Sequence, residues 1–271
     1  MRRTARSGRT ARTWIAAAAM ALGALLATGI GPASATDGPT DLLPALEPLQ
    51  RELADNDLVR EPVTGITWLR FTGAPANLGT GALEVTGRRT REEAAAATPG
   101  NNVLPAYQRI TRSDGSSYEV PVGRMTYHEE HKHFHMEGIS RYRLINGAGQ
   151  VVRESPKVAF CLVDLDIANS TLPGFPVNPV YNSCSHNANA TSLTMGISVG
   201  WADVYAKDLV GQSFDVGALM NLPPQQYTLE MTTNPLGVLH ETNRTAPRTT
   251  SVNVTIGQGV PVGVGGPRPG A

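Results

Sequence analysis

The chain has 271 residues and carries 23 basic and 23 acidic side chains, a formal net charge of +0. That balance argues against an electrostatic groove for nucleic acid and against a basic face for an anionic membrane. The length suits one large domain with a real core once an N-terminal leader is removed, and is short for two.

The leader comes first. Several arginines and no acid occupy the first dozen residues, an Ala-rich apolar run follows from about Trp14 to Gly29, and Ala33-Ser34-Ala35 offers a small-x-small cleavage site. This layout predicts a signal peptide over 1–35 rather than a membrane anchor, because the run is short and ends in a cleavage motif. No other apolar run is long enough to span a bilayer. The expectation is therefore a secreted, extracellular protein with no membrane association after cleavage.

Residues 36–60 contain the one helical candidate of useful length and are expected to form a helical or linker segment. A main domain is expected over 61–256. Within it, "TGITWLRFTG", "GALEVTGR", "SSYEVPVGRMTY", "HKHFHMEGISRYRLI", "KVAFCLVDLDI", "GISVGWADVY", "QSFDVGAL", "QYTLEMTTNP" and "TSVNVTIG" read as strands. Most alternate polar with apolar residues, are rich in β-branched and aromatic side chains, and end at Gly, Pro, Asn or Asp. Asn146-Gly147 sits between two such runs and predicts a hairpin. "REEAAAAT" predicts one or two helical turns. "TPGNNVLPAYQRITRSDGSS" and "ANSTLPGFPVNPVYNSCSHNANAT" read as long loops, and the Gly/Pro-rich tail over 257–271 as disordered. The expected fold class is all-β: a single β-sandwich-like domain with long loops and a short N-terminal helix.

The two cysteines, Cys161 and Cys184, read as a disulfide in an exported chain. The loop so closed is worth on the order of 3 kcal/mol in the chain-entropy model.

The densest chemical signal is "HEEHKHFH" at 128–135, four histidines of the six in the chain. On an extended strand alternate side chains share a face. His131, His133 and His135 would then converge on one side, with Lys132 and Phe134 on the other. Three neutral imidazoles suit copper(II) best and zinc second. His128 has the opposite strand parity and is expected to stand behind the three.

The stretch "HEEHKHFHMEGISRYRLI" resembles the copper segment of the lysyl oxidase family. "LLPALEP", "WLRFTGAPANLGTGALEV", "SPKVAFCLVD", "GISVGWADVYAKDLVGQSFDV" and "YTLEMTTNPLGVLHETN" extend the likeness, in order, over roughly 40 to 256. The resemblance implies copper ligands His131, His133 and His135, and a lysine tyrosylquinone built from Lys157 and Tyr205. It also implies a Cys161–Cys184 disulfide. The activity implied is oxidation of a primary amine, on peptidyl lysine or a small molecule, by molecular oxygen. Asp203, two residues before Tyr205, and His186, just after Cys184, are the candidates for the base that removes the α-proton. Animal members carry several disulfides where this chain has one pair, so it resembles a bacterial secreted member whose substrate need not be a matrix protein.

Two other readings share the histidines. A secreted copper-buffering protein would need neither Lys157 nor Tyr205. A structural β domain filled with zinc would lack oxidase activity. A copper monooxygenase that uses a mature N-terminal histidine is disfavoured, because cleavage after Ala35 leaves Thr36.

Overall fold

The longest antiparallel ladder in the computed structural model joins Val103–Arg112 to Ser117–His128. Asp114 closes the turn between them. Its Oδ1 accepts from the Ser116 N–H at 2.9 Å and from Ser116 Oγ at 2.6 Å, and Gly115 takes the left-handed φ of +83°. The first of these strands lies where the sequence predicted a loop. Pro105 and a register shift between Ala106 and Tyr107 disguise it, since proline is scarce in paired strands away from bulges. So does Gln108, a buried polar residue whose side chain is satisfied by both backbone groups of His240.

The structure describes residues 38–155, 159–242 and 248–265, and those from Pro39 onward belong to one compact unit. The predicted signal peptide and Lys157 lie outside the described residues. The all-β expectation holds, with the strands distributed over four sheets. The largest has the order Ser192–Ile197, Leu83–Arg88, Val103–Arg112, Ser117–His128, His133–Met136, with Asp41–Leu42 added to Val103–Arg112. A second runs Val151–Glu154, Ser140–Ile145, Gln225–Thr233, Thr249–Ile256. Its first two strands form the hairpin predicted from Asn146, whose Oδ1 accepts from the N–H groups of Ala148 and Gln150. The third orders Asp166–Ile167, Trp201–Ala202, Pro75–Asn77, Leu46–Pro48, and the fourth Ser213–Asp215, Thr67–Phe71, Asn56–Arg60, Gly263–Val264.

Alternation in the sequence becomes alternation in burial. Thr67–Phe71 and Ser140–Ile145 each bury every second residue, and their inward side chains join a core that includes Leu46, Phe71, Leu83, Leu104, Met125, Tyr142, Phe160 and Leu229. Each large apolar side chain so buried contributes roughly 1.5–3 kcal/mol.

Four expectations need correction. The N-terminal helix shrinks to the single turn Gln50–Leu53, because the apolar residues on either side pair into strands instead. The 60/61 boundary cuts the hairpin of Asn56–Arg60 with Thr67–Phe71. "KVAFCLVDLDI" is not one strand: among the described residues it holds a bridge at Phe160 and the two-residue strand Asp166–Ile167. The tail is paired at Gly263–Val264, parallel to Val59 and Arg60. There Gly265 passes too close to Val59 for any side chain.

The short helix Arg91–Ala95 forms as expected, and Thr90 and Glu93 close a reciprocal capping box at its start. Asp164 anchors the predicted long loop 168–191. Its buried carboxylate accepts from the N–H groups of Val180, Tyr181 and Ser198 and from Ser198 Oγ.

Candidate metal centre

The histidines do not lie on one strand. Ser117–His128 and His133–Met136 pair antiparallel, with His128 opposite His133 and Thr126 opposite His135. His131 and Lys132 occupy the turn between them. Residues directly opposite in such a pair share a face, so the reversal puts His128 on the same face as His133 and His135. The parity argument that set His128 apart fails for this reason. On the other face Tyr127 and Phe134 pack edge to face at 5.1 Å and bury the hairpin against the core.

The rings cluster closely. Centroids of His131, His133 and His135 are 4.7, 5.2 and 5.7 Å apart, and that of His128 lies 4.2 Å from His135. His186, delivered by the loop after Cys184, meets His133 edge-on at 5.5 Å. Its Nδ1–H donates to the Lys132 carbonyl at 2.9 Å. The structure thus gathers five of the six histidines.

Do these groups fit a copper ion? No three His, Cys, Asp or Glu side chains among the described residues are already closed into a metal cage. The His133–His135 pair, however, has its Nε2 atoms 2.8 Å apart. Two nitrogens each about 2 Å from a common ion at a right angle are separated by about that distance. His133 is also held neutral, its pKa lowered to about 4 by burial first and then by the neighbouring His131, His186 and His128. Neutral imidazole is the form that binds a metal. His135 is 2% exposed, so an ion beside it would be partly screened from water. The donor set fits copper(II).

The second part of the site is assembled from distant segments. Tyr205 is bridged to Gly73 through two backbone hydrogen bonds of 2.8 and 3.0 Å. Its hydroxyl donates to the Cys161 carbonyl at 2.7 Å, and its ring packs edge-on against Phe160 at 4.4 Å. Burial, then the Asp203 carboxylate, raises the Tyr205 phenol well above its ordinary value. Asp203 is fully buried and also raises Tyr142, whose shift is again dominated by burial. Asp203 therefore stands near both phenols, while the other candidate base, His186, stands at the histidine turn.

One bridge connects the two parts. Met136 and Phe160 exchange backbone hydrogen bonds of 2.7 and 3.0 Å; Met136 follows His135, and Phe160 precedes Cys161, whose carbonyl accepts the Tyr205 hydrogen bond. The predicted disulfide between Cys161 and Cys184 is present.

Several residues escaped the sequence reading. Tyr142 looked like an ordinary strand aromatic. Gln212, whose Nε2 donates to the Tyr205 carbonyl at 3.2 Å, gave no local signal. Arg89 and Asn102, which grip the loop that carries His186, gave none either. Gly73 was a usable clue, since a Cβ there would lie 2.6 Å from Tyr142 Cζ.

This geometry defines an all-β protein in which an imidazole cluster on one hairpin is linked, through a backbone bridge, to the segment that packs on a buried phenol. Residues 81–253 match the sequence model of the family described as Lysyl oxidase. The chain belongs to the lysyl oxidase family. It is 28% identical over 151 residues to Lysyl oxidase homolog 2 of Gallus gallus, covering 52% of this chain and 18% of that protein. To Lysyl oxidase homolog 2 of Homo sapiens it is 28% identical over 130 residues, 47% of this chain and 15% of that one. To Protein-lysine 6-oxidase of Rattus norvegicus it is 28% identical over 153 residues, 53% and 32% of the two. The chain spans less than a third of the length of the first of these relatives. Among the described residues no helix is long and apolar enough to cross a membrane.

Proposed function

We propose that the chain is a secreted copper-dependent amine oxidase. It converts a primary amine, dioxygen and water to an aldehyde, ammonia and hydrogen peroxide. His131, His133 and His135 would hold copper(II), and Lys157 with Tyr205 would supply the lysine tyrosylquinone. These groups provide the electrophilic carbonyl and the electron exchange with oxygen that unmodified side chains lack.

The observation that carries the reading is the Met136–Phe160 bridge. It ties the histidine strand to the segment that follows Lys157, on the side where the Phe160 ring meets Tyr205. The chain's own residues divide the remaining work. The Cys161 carbonyl orients the Tyr205 hydroxyl by accepting its hydrogen bond. Asp203, buried and adjacent to that phenol, is the better candidate for the base, because a carboxylate kept from water is a stronger proton acceptor. The substrate amine is that of peptidyl lysine or a small molecule, in keeping with the name of the relative Protein-lysine 6-oxidase.

A tryptic map of copper-incubated mature protein tests this. No Lys or Arg lies between Lys157 and Lys207, so a lysine consumed by the cofactor leaves residues 154–207 as one internally looped peptide. That peptide should survive cysteine reduction and react with hydrazines. Clean cutting after Lys157, with Tyr205 unmodified in protein that holds copper, would overturn the oxidase and favour copper buffering. The histidine cluster needs neither residue for that role.

A further inference from the structure

The turn that folds the histidines together is built on an unfavourable backbone conformation. Lys132 has φ +55°, in the left-handed region that residues with a Cβ enter at a cost and keep where their surroundings enforce it. Lys132 separates His131 from His133, so its dihedrals govern how those two rings face one another. Two bonds hold it. Its N–H donates to the His128 carbonyl at 2.7 Å, and its carbonyl accepts from His186 Nδ1. The first bond belongs to the turn itself. The second comes from a residue 54 positions away.

His186 is anchored on both sides. Two residues before it, Cys184 is bonded to Cys161. Two residues after it, the Ala188 carbonyl accepts from Arg89 Nη2 at 2.7 Å and from Asn102 Nδ2 at 3.0 Å, and Arg89 Nε reaches the Ala190 carbonyl at 2.8 Å. The Arg89 guanidinium also lies over Phe134, 5.7 Å from its ring centre, so one side chain grips both the His186 loop and the hairpin. This restraint leaves the imidazole aimed at a single backbone carbonyl.

We infer that His186 is a positioning residue of the metal centre, whose Nδ1–H fixes the left-handed Lys132 turn and so sets His131 and His133 toward one ion. The inference rests on reading those histidines as copper ligands. It assigns His186 to the geometry of the site and leaves proton abstraction to another group. Partners that orient ligands in this way typically change metal affinity by about 10- to 100-fold when removed.

The test titrates Cu(II) against a competing chelator and records electron paramagnetic resonance spectra of the wild type, His186→Ala, His186→Asn, Lys132→Gly and the Lys132→Gly/His186→Ala double variant. His186→Ala should weaken copper binding by about 10- to 100-fold and change the copper hyperfine splitting. His186→Asn should stay near wild type, because its amide N–H can reach the same carbonyl. The double variant should recover most of the lost affinity, since glycine adopts positive φ without strain. Unchanged binding in His186→Ala, or equal loss in His186→Ala and His186→Asn, overturns the inference and leaves the copper reading standing. A wild type that takes up no Cu(II) overturns the copper reading and the inference with it.

Discussion

The histidine hairpin and the tyrosine region are linked by the Met136–Phe160 backbone bridge but are encoded in different ways. The hairpin draws four imidazoles from eight consecutive residues, and a single antiparallel register brings them together. The tyrosine region draws Gly73, Tyr142, Phe160, Asp203 and Gln212 from segments far apart in the chain, and core packing holds them. The hairpin's histidines project from a local turn, whereas the tyrosine's neighbours are also the beams of the fold. Functional substitutions should therefore separate from structural ones in the first region and coincide with them in the second.

The sharpest way to break this comparison is Phe160→Ala. Phe160 is fully buried against Tyr205 and Tyr142, so truncation should cost about 3–5 kcal/mol in chemical denaturation. A loss below about 1 kcal/mol would show that the tyrosine region is not part of the frame. Next comes replacement of both cysteines by serine. With the bridged positions 23 apart in sequence, stability should fall by about 3 kcal/mol, and the Tyr205 and His186 regions should loosen together in hydrogen exchange. Thr90→Ala, which removes the capping box that follows Arg89, should cost about 1 kcal/mol with copper binding unaltered, because Arg89 keeps its hold on the Ala188 and Ala190 carbonyls; altered binding would mean that the cap supports that grip. Smallest in stability is His133→Ala, expected to shift the metal-free denaturation midpoint by no more than about 0.5 kcal/mol while sharply weakening copper binding in the same preparation. A large stability loss there would erase the distinction between the two regions.

How much was legible follows the same division. The histidines announced themselves because spacing alone nearly determines their convergence, although the reversal at Lys132 was hidden and with it the place of His128. Strands with clean alternation, such as Thr67–Phe71 and Leu83–Arg88, were readable from their pattern. Val103–Arg112 was not, because a proline, a bulge and a buried glutamine interrupt the period. The expected helix near Gln50 failed because its leucines are drawn into separate sheets, where tertiary packing outweighs propensity. Gln212, Arg89 and Asn102 were silent, since each acts through a backbone carbonyl, and for Arg89 and Asn102 that carbonyl is distant in sequence, so the contact leaves no spacing to read.

The Met136–Phe160 bridge has a consequence for variation. Both of its hydrogen bonds are between backbone groups, so no change of side chain other than to proline removes a donor or an acceptor. The seam between the regions can keep its register when either side chain is exchanged for another of similar volume that fills the same buried space. Each half can then drift, or be transplanted from another member of the family, without the other half having to change in step. A joint of this kind lets the histidine hairpin be retuned as a module while the frame around the tyrosine stays as it is.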